Sequence, residues 1–219
     1  MGKSIMEKLK KNENAAMGIG AMIIFIAMVL VAGIAASVLV QTSTSLEMQA
    51  LRTAQGTTDE VASGLHVEAV EGNATTSAIN KMAIEIRPRA GSPDIDLSET
   101  VIELSDSSAK HILRHSGNTA QRNSSVDGAI FNCTFGGAAT FEVIILQDAD
   151  DSVYSDNVIN FGDHVVLAVN TASVFTSNSG ILTRTAVDGL IIPEEGAPGI
   201  IGFTTPSSYT GAQEIIELQ

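Results

Sequence analysis

The hydrophobic pattern divides the chain into two unlike parts. No charged residue occurs from Asn14 to Leu46, a run of 33 positions that centres on the apolar segment Gly18–Val31. About 20 apolar residues are enough to cross a bilayer as a helix, and at about 1.5 Å per residue this run would measure roughly 50 Å. After Gly56, apolar residues alternate with polar ones or occur in short runs, the pattern of β-strands.

The apolar run has three interpretations. A secretory signal peptide has a shorter apolar region that ends at a small-residue cleavage site, whereas a permanent membrane anchor is the simplest alternative. The third interpretation is a helix that first lies in the membrane and later packs against copies of itself. The helical pattern continues through the polar stretch Leu46–Gln55 to Gly56, and such an extension suits a packed bundle better than a simple anchor. The four lysines before Asn14 favour a cytoplasmic N-terminus.

Small residues recur along the helix at the spacing that lets helix backbones approach closely. Ala32 and Ala36 are four residues apart, and so are Gly33 and Ser37. Small residues are also common in membrane helices in general, so this spacing alone does not distinguish the alternatives.

The remainder of the chain predicts an all-β domain, which with the helix gives an α+β protein. Eight to ten short strands separated by turn signals, with no convincing helix between them, favour a Greek-key, immunoglobulin-like β-sandwich. The predicted strands are Leu65–Val70, Ile79–Arg87, Thr100–Leu104, His111–Leu113, Ala129–Phe135, Thr140–Leu146, His164–Val169, Ile181–Ile192, Gly199–Thr204 and Glu214–Leu218. Val143–Leu146 and Val165–Val169 are apolar on both faces, as in central strands or a subunit contact.

Two regions of the chain have distinctive sequences, one near each end. They comprise Ala16–Gly20, Ile23–Ala32 and Ala35–Ser43 at the N-terminus, and Ile192–Ile201 and Phe203–Pro206 near the C-terminus. Both regions resemble archaeal flagellins (archaellins), and the match at the N-terminus is nearly residue for residue over about 28 positions. A weaker likeness lies at Gly162–Asp163, Val165–Leu167 and Val169–Thr171.

The resemblance implies a leader that a dedicated membrane peptidase removes before the apolar helix. Aligning the family's glycine at the third mature position with Gly18 puts the cut between Ala15 and Ala16. The family usually has glycine before the cut, so Ala15 departs from the pattern. Bacterial type IV pilins carry a glutamate at the fifth mature position, where this chain has Gly20. The expected segments are therefore a cleaved leader (1–15), a filament-core helix (16–58) and an outer β-sandwich domain (59–219).

The resemblance also implies a function, namely a structural subunit of an extracellular motility filament whose precursor lies in the cytoplasmic membrane. Its expected partners are further copies of itself or of related subunits, the leader peptidase, the membrane in transit and the N-glycosylation machinery. The alternative is a related pilin-like adhesin or a signal-anchored surface binding protein. The residues expected at helix–helix contacts are Gly18, Gly20, Ala32, Gly33, Ala36 and Ser37.

The amino-acid composition argues against some classes of function and of covalent structure. The 219 residues carry a formal net charge of −13, yet the mean hydropathy is +0.22, so acidity and apolarity occupy different parts of the chain. The acidic excess disfavours nucleic-acid binding, which needs lysine and arginine for phosphate contacts. Cys133 is the sole cysteine, so an intrachain disulfide is impossible, and we expect this thiol to be buried rather than nucleophilic.

Three sequons, at Asn73, Asn123 and Asn132, are candidate N-glycan acceptors in an exported domain. Asn123 lies in a polar stretch predicted as an exposed loop, and Asn73 is next to a turn at Gly72. Asn132 lies inside the predicted strand Ala129–Phe135. Sequons also arise by chance in chains rich in Ser, Thr and Asn, whereas the family resemblance favours glycosylation.

The sequence predicts no enzyme, cofactor or metal centre. It contains neither a nucleophile elbow nor a phosphate-binding glycine loop, and the four histidines, His66, His111, His115 and His164, are interpreted as surface residues. An acidic loop can offer oxygen ligands to Ca²⁺, but Val153 and Ile159 occupy the EF-hand positions of glycine and glutamate. A solvated loop is the favoured interpretation of its aspartates, Asp148, Asp150, Asp151 and Asp156.

Overall fold

The computed structural model describes residues 2–122, 130–209 and 214–219. The chain divides into two compact units, Met1–Gln55 and Gly56–Gln219. The first unit is part of a single helix, and the second contains the end of that helix and all the strands.

Helix α1 spans Gly2–Ala62, four residues beyond the end expected from the sequence. It contains no proline, and its polar middle is compatible with a helix because the threonine hydroxyls are satisfied within it. Thr42 Oγ1 donates to the carbonyl of Leu39, and Thr44 Oγ1 donates to that of Val40, so neither side chain competes with the helical backbone. The helix ends before Gly64, whose φ of +138° no L-residue adopts readily.

The strands and the remaining helices occupy the second unit. Two short α-helices, which the sequence pattern did not predict, are α2 (Ser152–Asp156) and α3 (Thr171–Val174). The strands are β1 (Leu65–Ala74), β2 (Ala78–Pro88), β3 (Ile95–Asp96), β4 (Val101–Ser105), β5 (Lys110–His115), β6 (Gln121–Arg122), β7 (Thr140–Gln147), β8 (Val158–Ile159), β9 (His164–Val169), β10 (Ile181–Leu182), β11 (Ala186–Ile192), β12 (Gly199–Thr204) and β13 (Glu214–Glu217).

The hydrogen bonding joins eleven of the described strands into one mixed sheet in the order β12-β11-β4-β5-β7-β9-β2-β1-β13, with β10 on β2 and β6 on β7. β3 and β8 form a separate pair. The sheet curls so that β12 approaches β1, and the space above Gly199 is closed by Val67. The predicted class, a long apolar helix followed by an all-β domain, is confirmed, and the expected sandwich takes the form of this curled sheet.

The core lies on the concave side of the sheet and is mostly aliphatic, with Phe141 among its largest fully buried side chains. A second apolar cluster covers the other face of β2, β7 and β9, where Ile144 and Val166 pack with Phe131. The double-sided apolar pattern of β7 and β9 is thereby explained: these strands are central and covered on both faces by the chain itself.

The segment predicted as a strand at Ala129–Phe135 is not one in its described part. Ile130–Asn132 forms a single-turn 3-10 helix, and the chain continues irregularly to Phe135. Its apolar residues resemble a strand in sequence because they cover the second face of the sheet. Phe131 and Phe135 stack at 6.0 Å between ring centroids, and Lys81 Nζ lies 4.7 Å from the centroid of Phe135.

Candidate functional site

The apolar part of α1 carries most of the exposed large apolar side chains among the described residues. Eighteen large apolar side chains between Met17 and Leu51 are exposed, and they are distributed around the axis rather than on one face. Among the described residues one helix, Met17–Thr58, is long and apolar enough to cross a membrane. A helix that is apolar all round is stable only when something other than water covers it.

Within the described residues, nothing packs closely against the glycines in the apolar part of α1. A Cβ added to Gly18, Gly20 or Gly33 would meet no atom within 4 Å, and Ala32 is likewise exposed. Each glycine costs a helix about 1 kcal/mol relative to alanine, and nothing within the described chain offsets that cost. These positions are therefore suited to a contact outside this chain. Ala36 and Ser37 are also exposed, and the backbone at Ala15 and Ala16 is helical.

The end of α1 is held by the segment Ile192–Gly199, which is part of the second region of family resemblance. The N–H of Ala197 donates to the carbonyl of Ser63 at 2.9 Å, and the N–H of Leu65 donates to the carbonyl of Ala197 at 3.3 Å. The close approach depends on two glycines with positive φ, Gly64 (+138°) and Gly196 (+96°). A Cβ at either position would overlap the opposing backbone, so both must be glycine.

The four aspartates of the acidic loop do not converge in one cluster. Asp151 pairs with Arg122 at 2.8 Å, whereas Asp156 is exposed in α2. Asp148 and Asp150 converge with Asp163, which sequence analysis had not included, and one carboxylate oxygen from each lies within 4.8 Å of the others. The sequence predicts a solvated loop here, whereas the structure shows a group of three carboxylates that differ in burial.

Asp163 is the unusual member, because it is only 1% exposed. Its Oδ2 accepts from the N–H of Asn160 at 3.0 Å, whereas its Oδ1 and the buried Oδ1 of Asp148 have no hydrogen-bond partner among the described residues. Burial raises the pKa of Asp163, and the charges of Asp148 and Asp150 raise it further. Hydrogen bonds from Asn160 and Ser152 lower the pKa of Asp150. Oxygen-only ligands of this kind are chemically able to hold a hard cation such as Ca²⁺.

The histidines differ in their surroundings. His66 is exposed as expected, whereas His164 is half-buried, with Nε2 3.0 Å from Glu68 and Nδ1 3.0 Å from Glu85. Arg87 also pairs with Glu68 at 2.8 Å. Glu68, Glu85 and His164 are a second group with metal-ligand types. Both imidazole nitrogens already have carboxylate neighbours, so this cluster is a polar network joining three strands.

The other two histidines pack against aromatic rings. His111 lies edge-on to Phe175, with 5.0 Å between centroids. His115 lies against Phe141, and its Nδ1 accepts from the N–H of Gly117 while its buried Nε2 has no partner among the described residues. Burial lowers the pKa of His115, although Glu142 and Asp96 oppose that shift. His111, His115 and His164 are all half-buried, so the expectation that the four histidines lie freely on the surface holds only for His66.

The sequons differ in accessibility. Asn132 is exposed at the end of the 3-10 helix, so its expected location inside a strand is wrong. Asn73 lies within β1, half-buried and opposite both Lys81 and Ile215. Asn123 lies outside the described residues. Cys133 is half-buried, and burial raises the pKa of its thiol, which favours an unreactive side chain.

The chain is similar to known proteins over nearly its whole length. The model of the archaeal-type flagellin family matches residues 15–203. Flagellin B2 of Methanocaldococcus jannaschii is 44% identical in an alignment of 214 positions, which covers 95% of this chain and 97% of that protein. Flagellin B1 of Methanococcus voltae is 41% identical in an alignment of 224 positions, gaps included, which covers 98% of this chain and 99% of that protein.

Two solved structures share the fold. The crystal structure of archaeal flagellin FlaB1 from Methanocaldococcus jannaschii superposes with a TM-score of 0.62 at 39% identity, over 72% of this chain and 98% of that one. The archaeal flagellum of Methanospirillum hungatei gives a TM-score of 0.61 at 14% identity, over 92% of this chain and 98% of that one.

Proposed function

Because this chain belongs to the archaeal-type flagellin family, we propose that it is an archaellin, the structural subunit of an archaeal motility filament. The filament lies outside the cell, and its core consists of the helices of many copies. The role of the chain is mechanical: the filament transmits torque that a motor elsewhere generates. No catalytic step is assigned to any of its residues.

The observation that carries this proposal is the exposed apolar surface of α1. Burying one large apolar side chain is worth about 1.5–3 kcal/mol, so the eighteen exposed between Met17 and Leu51 correspond to tens of kcal/mol. A chain with this surface cannot persist as a monomer in water. It needs either lipid around the helix or other helices.

The apolar surface of α1 is covered in two successive environments, first in the precursor and then in the filament. The helix of the precursor lies in the cytoplasmic membrane, and the helix of the assembled subunit lies against copies of itself. Lipid tails are as apolar as leucine, so the transfer gains little hydrophobic free energy. Close packing must favour the filament core, which gives Gly18, Gly20 and Gly33 a role that the isolated chain does not provide.

The leader is removed by a membrane peptidase between Ala15 and Ala16. Its four lysines and two glutamates would be costly inside a helical core, because buried unpaired charges are strongly unfavourable. Without Met1–Ala15 the chain has eight basic and 23 acidic residues and a formal net charge of −15. All of that charge follows Leu46, on the polar part of the helix and the β-domain.

The exported β-domain is also a substrate for N-glycosylation at its sequons. The exposed position of Asn132 supports its use, whereas the pairing of Asn73 on both strand edges disfavours that site. Asn123 is proposed on the sequence alone.

Electron microscopy of filaments sheared from cells, with mass spectrometry of their subunits, tests the proposal. We expect this chain to be a component of the filaments and to be absent from them in cells that lack its gene. Recovery of the chain only as a detergent-extracted monomer, with Met1–Ala15 intact, would overturn it.

A further inference from the structure

The start of β1 has two different flanks, one on each of its hydrogen-bonding edges. On one edge the N–H of Arg89 donates to the carbonyl of Gly64 at 2.9 Å, and Pro88 is opposite Leu65. On the other edge the N–H of Leu65 donates to the carbonyl of Ala197. Successive residues of an extended segment direct their backbone groups to opposite sides, so the two flanks lie on opposite sides of the residues that follow α1.

The first flank is an open hollow of about 560 Å³ whose exposed side chains include two arginines and one aromatic ring. His66, Arg87, Arg89 and Phe161 line it, together with His164 and the buried Asp163. Arg87 is paired with Glu68, but Arg89 is exposed and forms no ion pair within the described residues. We call this surface the arginine flank.

Phe161 makes the arginine flank distinctive. It is 85% exposed, whereas the described phenylalanines elsewhere in the β-domain are buried or half-buried. An aromatic ring in water next to an unpaired arginine is the composition that carries binding energy at protein interfaces.

The second flank is an acidic hollow of about 500 Å³ between the last turns of α1 and the segment after β11. Glu60, Glu194 and Glu195 line it and are exposed, and none of them forms an ion pair within the described residues. Ile192, at 42% exposure, supplies an apolar patch beside them. We call this surface the glutamate flank.

The two flanks are complementary in charge, and each adds an exposed apolar side chain. We propose that the arginine flank of one copy docks on the glutamate flank of a neighbouring copy, with Arg89 facing Glu194 and Glu195 and Phe161 packing towards Ile192. Two different surfaces on opposite sides of one segment give a heterologous contact, the type that repeats without closing and builds helical assemblies. This contact presupposes the filament proposed above and adds a second interface to that of the helices.

The contact also reduces the electrostatic repulsion between neighbouring subunits. Subunits of charge −15 repel one another when they are packed side by side, and the mature chain has only eight basic residues with which to offset this. Placing one unpaired arginine against the glutamates of the next copy replaces a repulsion by an attraction in each repeat. It also selects one relative orientation of the neighbours.

Crosslinking within intact filaments tests the contact. In a Cys133→Ser background, Arg89→Cys and Glu195→Cys are introduced together, and the filaments are treated with a short bismaleimide crosslinker. We expect a ladder of covalent oligomers, since each copy links to the next through unlike positions. Filaments with either cysteine alone should yield no species beyond a dimer. Intact double-cysteine filaments without a ladder would overturn the docking contact and leave the proposed function standing.

Charge reversal is the second test, and it remains decisive if the cysteine variants fail to assemble. Arg89→Glu and Glu195→Arg should each lower the yield of sheared filaments by about tenfold, and the double reversal should restore most of it. The matched controls are Arg184→Glu and Glu99→Arg, which reverse exposed charges outside both flanks. Equal losses in the controls, or no rescue in the double variant, would overturn the contact. An absence of filaments from the unmodified chain would instead contradict the proposed function.

Discussion

Gly196 lies directly against Ser63, so closely that a Cβ at position 196 would overlap the Ser63 hydroxyl and backbone. This relationship joins the segment after β11 to the residue that follows α1, across more than 130 positions of sequence. It gives a physical reason for the family resemblance at Ile192–Gly199: that segment holds the end of the assembly helix to the β-domain.

Replacing Gly196 by alanine tests this contact. We expect Gly196→Ala to destabilise the β-domain by about 2–4 kcal/mol, because the residue has a φ of +96° and the methyl group overlaps Ser63. The measurement is thermal unfolding of the detergent-solubilised chain, followed by circular dichroism. Gly202→Ala is the matched control, since a Cβ there meets nothing closer than 4.0 Å. Equal melting temperatures for the two variants would show that the close approach is unimportant.

Substitutions at the small residues of α1 distinguish the effect of helix packing from the effect of hydropathy. Gly33→Leu makes the helix more apolar, so we expect normal insertion of the precursor in the membrane. A leucine at a close helix contact costs about 1–3 kcal/mol through overpacking, which lowers association by roughly tenfold or more. The yield of sheared filaments should fall accordingly, while Gly33→Ala should assemble nearly normally. Wild-type yields from Gly33→Leu would mean that no helix approaches Gly33 closely.

The carboxylates around Asp163 predict a response to calcium. Asp163 is buried with a raised pKa and lies close to Asp148 and Asp150, so a bound cation would relieve both the burial of charge and the mutual repulsion. A hundredfold excess of Ca²⁺ over its Kd stabilises a folded protein by about 2.7 kcal/mol. We expect millimolar Ca²⁺ to raise the melting temperature of the wild type.

Asp163→Asn should remove this response and, without calcium, should match or exceed the wild type in stability. Asp156→Asn is the control, since Asp156 is exposed outside the cluster. No calcium-dependent shift in the wild type would eliminate the site.

His115 predicts a loss of stability in mild acid. Burial lowers its pKa in the folded chain, so below the ordinary histidine pKa of about 6.5 the unfolded chain binds a proton that the folded chain does not. The contribution of this group is fully present above that pH and is lost as the pH falls through the folded pKa. Free energies of unfolding at pH 7.5 and 5.0 measure the effect. The acid-induced loss should be smaller in His115→Gln than in the wild type, and an equal loss in the two proteins would contradict this assignment.

Local patterns in the sequence determine most of the fold, and those parts can be predicted from it. The uncharged run predicts α1, and alternation predicts long strands such as β1, β2 and β9, because each pattern follows from the period of its own backbone. The apolar residues of Ile130–Phe135 have the pattern of a strand, but they cover a sheet and do not pair with a strand. No local pattern reveals the burial of Asp163 next to Asp148, because it is a long-range consequence of the fold. The same applies to the contact between Gly196 and Ser63.

The N-terminal sequence of the subunit isolated from filaments tests the central claim most directly. If α1 is released from its charged leader and packs in a core of identical helices, the subunit begins at Ala16, or within one residue of it. A filament subunit that begins at Met1 and retains the lysines of the leader would contradict this account.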